Sequence, residues 1–241
     1  MRILLVNDDG YKADGINALD KVLSEYGHEI YMVAPSVEQS GKSHSMTLNE
    51  PGHIHRFADK HYNVDGTPVD CMIYSLKSTL LDKKPDLIVS GINHGYNQST
   101  DIVYSGTCGA ARQAVMYGYK AIAISADKSK DGKFNFIAAA TFLSEHLLEF
   151  VSMIEEHSFL NINIPYDFNG KYEYSSIGMI EYDDQFSLDE VGDGEYVIKN
   201  TGCNIKYHSV DQNHPNDFEL TSKGIAAISL VEISPTYRGG C

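Results

Sequence analysis

Five short apolar runs punctuate the first two thirds of this chain: RILLV at 2–6, EIYMVAP at 29–35, DLIVS at 86–90, AIAIS at 121–125 and FLNINIP at 159–165. Each is too short for a buried helix and carries little polar alternation, the pattern of parallel strands covered on both faces. Segments of helical spacing lie between them. Ile16, Leu19, Val22, Leu23 and Tyr26 recur on one helix face, and Gly27 supplies a stop. GTPVDCMIYSL has a cap at Thr67, proline at the first helical position and Asp70 in the first turn. TCGAARQAVMY at 107–117 and the stretch 134–156 read as two more helices. Strand–helix–strand repetition implies right-handed crossovers, and so an α/β fold: a Rossmann-like, doubly wound, mostly parallel sheet. A polar loop at 36–50 and a weak strand pair near 53–64 interrupt it.

Beyond residue 166 the alternation stops. YEYSSIGMIEY, GEYVIKN and GIAAISLVEIS read as strands or hairpins joined by polar, glycine-containing turns. We expect one domain over 1–241: a core of about 1–165 and a C-terminal β-rich extension of about 166–241, packed on the core or reaching to a partner subunit. The chain carries 19 Lys+Arg against 33 Asp+Glu, a net charge of −14, and no basic stripe, so a nucleic-acid duplex is not an expected partner. No apolar run is expected to span a membrane, and MRILLVNDDG lacks the apolar region of a signal peptide. The four cysteines, Cys71, Cys108, Cys203 and Cys241, are scattered without zinc spacing. The expectation is a cytoplasmic protein with reduced thiols.

In an open parallel sheet, ligands collect beyond the carboxyl ends of the strands. The first strand delivers Asn7-Asp8-Asp9-Gly10 there, the second leads on to Ser40-Gly41, and the third delivers Ser90-Gly91-Ile92-Asn93. Two carboxylates, a hydroxyl and an amide form an all-oxygen set that suits Mg²⁺ or Mn²⁺ better than zinc. Taken alone, Asp8-Asp9 reads equally as a solvated turn that caps the next helix. A second feature is Tyr104-Ser105-Gly106-Thr107, which runs into a helix with Gly109, Ala110 and Ala111 in its first turns. Free N–H groups and the positive dipole end there could take a phosphate, with Ser105 and Thr107 hydroxyls as added donors. Equally, one of those hydroxyls could do no more than cap the helix. Of the ten histidines, His44 and His94 lie nearest this centre, and no spacing gathers a ligand set.

NDDGYKADGINAL, VAPSVEQSGKSHSMTL, DGTPVDC, PDLIVSGINHGYN and DIVYSGTCGAA together resemble, in order over about residues 1–125, the SurE family of stationary-phase survival proteins. A looser likeness extends to HPNDFELTSKGIAAIS. The resemblance implies a metal-dependent phosphatase acting on nucleoside 5′- and 3′-monophosphates, with short polyphosphate as a further substrate. It implies one divalent metal, Mg²⁺ or Mn²⁺ with Co²⁺ as an alternative, on Asp8, Asp9, Ser40 and Asn93, with Asp8 and Asp9 catalytic. It places phosphate on Asn97, Ser105, Gly106 and Thr107, and a homodimer or homotetramer on the C-terminal arm. The chain departs from the pattern at Ser99, usually glycine, at Gln113, usually acidic, and in SLVEISP, where a Thr-Pro-Leu-like segment is usual. Two other readings remain: a metal-dependent deacetylase, which normally adds nearby histidine ligands, and a nucleotide-binding regulator without turnover.

Overall fold

A computed structural model describes residues 1–211 and 213–233. The end of the divergent SLVEISP segment, Ser234 and Pro235, and Cys241 lie outside the described residues. The apolar runs become β1 (Arg2–Val6), β2 (Glu29–Pro35), β5 (Leu87–His94), β6 (Ala121–Ala126) and β7 (Ser158–Ile164); the weak pair becomes β3 (Ile54–Ala58) and β4 (His61–Val64). Three short or late elements, β8 (Tyr172–Tyr174), α5 (Asp217–Thr221) and β11 (Ala226–Glu232), come from the C-terminal third. The nine strands form one sheet in the order β3-β4-β2-β1-β5-β6-β7-β11-β8. Pairing is parallel from β4 through β7, while β3 and β11 run antiparallel to β4 and β7.

Helices cover both faces. α1 (Asp14–Glu25) and α4 (Phe136–Met153) bury Ile16, Leu19, Leu23, Leu143, Leu147 and Phe150 on one side. α2 (Pro68–Lys77) and α3 (Gly106–Met116) bury Met72, Cys71, Ala110, Ala111 and Ala114 on the other. The expected cap of α2 is a full capping box: the Thr67 hydroxyl accepts from Asp70 N at 3.1 Å, and Asp70 accepts from Thr67 N at 2.9 Å. α4 corrects one expectation. Its 18 residues have a mean hydropathy of 1.3, so by length and composition it could cross a membrane. Here its apolar face packs on the sheet, while Glu145 and Glu149 interrupt the other.

The strand order reverses beside β1: β2 lies on one side and β5 on the other. This is the switch point at which a crevice opens between neighbouring strand ends. Outside the main sheet, β9 (Met179–Gly192) and β10 (Glu195–His208) form a separate antiparallel hairpin of 14 residues per strand. Tyr182 of β9 donates its hydroxyl to Asp101 at 2.6 and 2.7 Å, which ties the hairpin to a short 3₁₀ turn at Ser99–Val103.

Candidate active site

At the end of β1 the chain turns through Asn7, whose buried amide braces the loop. Nδ2 donates to Gly10 O at 2.9 Å, and Oδ1 accepts from Gly10 N at 3.2 Å. Asp8, only 3% exposed, is thereby aimed at the N-terminus of α3. Its Oδ1 accepts the Thr107 hydroxyl. A Cβ on Gly106 would stand 2.9 Å from Asp8 Cβ and 3.0 Å from Oδ2, so the first turn of α3 can come this close only with glycine there. Burial pushes the Asp8 carboxyl above its ordinary range, against the pull of the Thr107 hydrogen bond. Burial and then the neighbouring charge of Asp8 lift Asp9 to about 7, opposed by the His94 N–H at 3.3 Å and reinforced by Glu38. Two adjacent carboxylates held this way are poorly stabilised as anions, the condition that recruits a cation.

Ser40 lies on the loop after β2. Gln39 N donates to Asp8 O at 2.7 Å and pins that loop to the end of β1. Ser43 N donates to Tyr104 O at 3.0 Å, and Ser43 O would be 2.5 Å from a Cβ on Gly109. The loop thus rests directly on α3. Ser40 Oγ donates to Glu38 Oε1 at 2.8 Å, leaving its own lone pairs outward. Asn93 lies within β5, because that strand continues four residues past Ser90. The continuation passes through a register shift at Gly91, whose φ of 138° and 2.2 Å approach of a would-be Cβ to Ile124 O admit only glycine. Asn93 Nδ2 donates to Gly95 O at 2.8 Å, so the side-chain oxygen is the end left for a ligand.

Asp8, Ser40, Asn93, Asn97 and Ser105 line a single cleft of about 260 Å³ at the switch point. Asp9 is not among the residues that line this cleft; its Oδ1 lies 3.6 Å from Nδ1 of His94, which is. His94 stacks on Phe134 and Phe136, with ring centroids 5.1 and 4.9 Å away, and this burial lowers its pKa. Ser105 Oγ caps α3 by accepting from Cys108 N at 3.0 Å, which still leaves its hydroxyl proton to donate. Thr107 differs from the expectation: it is fully buried behind Asp8 and its proton is committed there, so it has none for a phosphate oxygen. Asn97 is anchored, with Nδ2 on Ser125 Oγ at 3.0 Å and its carbonyl on Asn161 and Asn163.

The donor set is all oxygen and contains two carboxylates, which fits a hard divalent cation. Among the described residues no three His, Cys, Asp or Glu side chains gather as a metal group, so a cation here depends on the hydroxyl and the amide to complete its shell. Sequence reasoning missed Glu38, whose charge reaches both aspartates, and Asp101 and Tyr96 on the cleft wall. Glu38 stands two residues before Ser40 and could have been found by that spacing; Asp101 had no local signal. The two internal departures have partners. Gln113 Oε1 accepts from His44 Nε2 at 2.8 Å, and Ser99, at φ 54°, donates its hydroxyl to buried Asp217 at 2.8 Å.

The family model described as Survival protein SurE matches residues 3–184. A 5′-nucleotidase SurE of Erythrobacter litoralis (strain HTCC2594) is 33% identical over 99% of this chain and 96% of its own length. Its counterpart in Geotalea daltonii is 34% identical over 97% and 100%. Among solved structures, the crystal structure of the SurE protein from Aquifex aeolicus superposes with a TM-score of 0.81 at 31% identity, covering 98% of this chain and 95% of that one.

Proposed function

The chain belongs to the SurE family, and on that premise we propose that it is a 5′-nucleotidase, hydrolysing nucleoside 5′-monophosphates to nucleoside and phosphate. The 3′-monophosphates and short polyphosphate are further substrates in this reading. The observation that carries it is the meeting of Asp8, Ser40, Asn93, Asn97 and Ser105 in one cleft at the switch point. Asp8, Asp9, Ser40 and Asn93 would hold one divalent cation, Mg²⁺ or Mn²⁺ with Co²⁺ able to substitute. Bound there, such an ion supplies Lewis-acid polarisation and lowers the pKa of water.

The chain's own groups do the rest. Gly106 N–H at the start of α3, the Ser105 hydroxyl and Asn97 bind the phosphoryl oxygens and stabilise charge that develops on them. Thr107 and Gly106 together fix the orientation of Asp8. Asp9, held beside His94 of the cleft wall, orients the attacking water and accepts its proton. The whole chain acts as one unit, and the segment from 166 onward serves assembly into a homodimer or homotetramer in the cytoplasm. Exposed Phe186, Leu188, Val197 and Ile198 on the hairpin support the assembly role.

The test is phosphate release from nucleotides and polyphosphate after chelation, with Mg²⁺, Mn²⁺ or Co²⁺ restored in turn. Activity should vanish on chelation and return with at least one ion. Asp8→Asn and Asp9→Asn should each lose about a hundredfold or more in kcat/KM with unchanged circular dichroism. Near-normal turnover in both variants defeats the assignment.

A further inference from the structure

Strand β7 is buried on both faces, yet it alternates Asn161 and Asn163 with Leu160, Ile162 and Ile164. The two carboxamides, each 0% exposed, lie on one face of the strand by its period of two. Ser125, equally buried, stands opposite Asn163 in the neighbouring strand β6. Apolar side chains would fill these places at lower cost, since a buried amide or hydroxyl must recover its lost water through hydrogen bonds. Asn161 Oδ1 accepts from Cys108 Sγ at 3.7 Å. The other side-chain hydrogen bonds of the three converge on one residue, Asn97 of the proposed phosphate cleft.

Asn97 follows the end of β5 at His94 and belongs to no strand itself. Its N–H donates to Asn163 Oδ1 at 2.9 Å. Its carbonyl accepts from Asn163 Nδ2 at 3.0 Å and from Asn161 Nδ2 at 2.7 Å. Asn163 thus meets both backbone groups of Asn97, as a paired strand would. That double contact sets the Asn163 amide orientation, because exchanging Oδ1 and Nδ2 would face oxygen against carbonyl and N–H against N–H. Ser125 Oγ holds the side-chain amide of Asn97 at 3.0 Å. Asn93, a proposed cation ligand, is the partner of Ser125 on the other side of β6. Asn93, Ser125 and Asn163 therefore form one row across three adjacent strands, and Asn97 is fastened to two of its members.

We propose that Asn163, with Asn161 and Ser125, positions the phosphate cleft: the three set where Asn97 meets a phosphoryl oxygen and how far that point lies from the cation ligand Asn93. None of the three lines the cleft, so they act through Asn97 and touch no substrate. A misplacement of about 1 Å in a group at the reacting centre can cost about a hundredfold in rate, which makes a rigid grip on Asn97 worth two buried carboxamides. The inference rests on the cleft being the phosphate site of a 5′-nucleotidase.

The test is a double-mutant cycle on kcat/KM of the full chain for 5′-AMP with Mn²⁺. Asn163→Ala should lower kcat/KM about tenfold or more and weaken inhibition by inorganic phosphate. The Mn²⁺ concentration giving half-maximal turnover should stay within about twofold of wild type, because the cation ligands are untouched. In an Asn97→Ala background there is no side chain left to place, and the same substitution should change kcat/KM by less than about twofold. Ser125→Ala, which removes a single bond, should lose its smaller effect in that background too, and it carries the cycle if Asn163→Ala does not fold. Equal losses in both backgrounds would be general damage and overturn the proposal. Wild-type turnover in Asn163→Ala, or a Mn²⁺ requirement that shifts with it, overturns it as well. A wild-type protein that releases no phosphate from 5′-AMP overturns the nucleotidase reading instead, and the positioning role falls with it.

Discussion

Asp9 ionises against two costs: loss of water around its carboxylate and the charge of Asp8 beside it, which together lift it to about 7. In the unfolded chain it titrates near 4, so between about pH 4 and 7 the native state binds the extra proton. Stability from this group therefore falls as pH rises across that window, and the full cost is present above 7. In chelated protein, the melting temperature of wild type relative to Asp9→Asn should drop between pH 5 and pH 7.5, and Mn²⁺ should reverse the drop. Melting curves that move in parallel for the two proteins would defeat this assignment. The pair Asp8-Asp9 was legible in the sequence because adjacent carboxylates after an apolar run are a local signal. The role of Thr107 was not, because its partner lies 99 residues away and only the fold brings the two together.

At the scale of elements, the site depends on how closely α3 approaches its neighbours. Gly109 lets the loop after β2 rest on the helix, with Ser43 O only 2.5 Å from where a Cβ would be. A Gly109→Ala substitution pushes that loop away and carries Ser40 with it. Metal affinity and kcat/KM should fall roughly tenfold or more while thermal stability drops by about 1–3 kcal/mol, as for other overpacked contacts. Titration of activity with Mn²⁺ reads the first effect and thermal unfolding the second; unchanged metal dependence would detach the loop from the site. The strands β1, β2, β5, β6 and β7 and the capped start of α2 could be read locally, since continuous apolar runs and a Thr-Pro-x-Asp start carry their own signals. The extension of β5 to His94 could not. It turns on the register shift at Gly91 and the approach of Ile124, which exist only once β5 and β6 have paired.

For the whole molecule, the change of pattern after residue 166 marked the C-terminal third correctly as β-rich, yet hid where its strands go. β11 enters the main sheet antiparallel to β7 and parallel to β8, and its pairing with β7 runs from Ala227 on Asn163 to Glu232 on Ser158, a long-range match that no local periodicity encodes. The hairpin β9–β10 takes the opposite course and pairs only with itself. Two strands alone are marginal in water, and this pair exposes Phe186, Leu188, Val197 and Ile198 along its length. Apolar side chains so displayed favour burial against another copy of the chain. Replacing these four with serine should therefore leave the nine-stranded sheet intact and shift the mass in solution towards the 26.7 kDa of one chain. Light scattering after size exclusion reads that mass. Because Tyr182 at the base of the hairpin holds Asp101 on the cleft wall, dissociation should also cost activity, and turnover that rises with protein concentration in the variant would link assembly to the site. A mass equal to that of the wild type in the fourfold variant would remove the hairpin from the proposed interface and leave Tyr182 as its contact with the catalytic cleft.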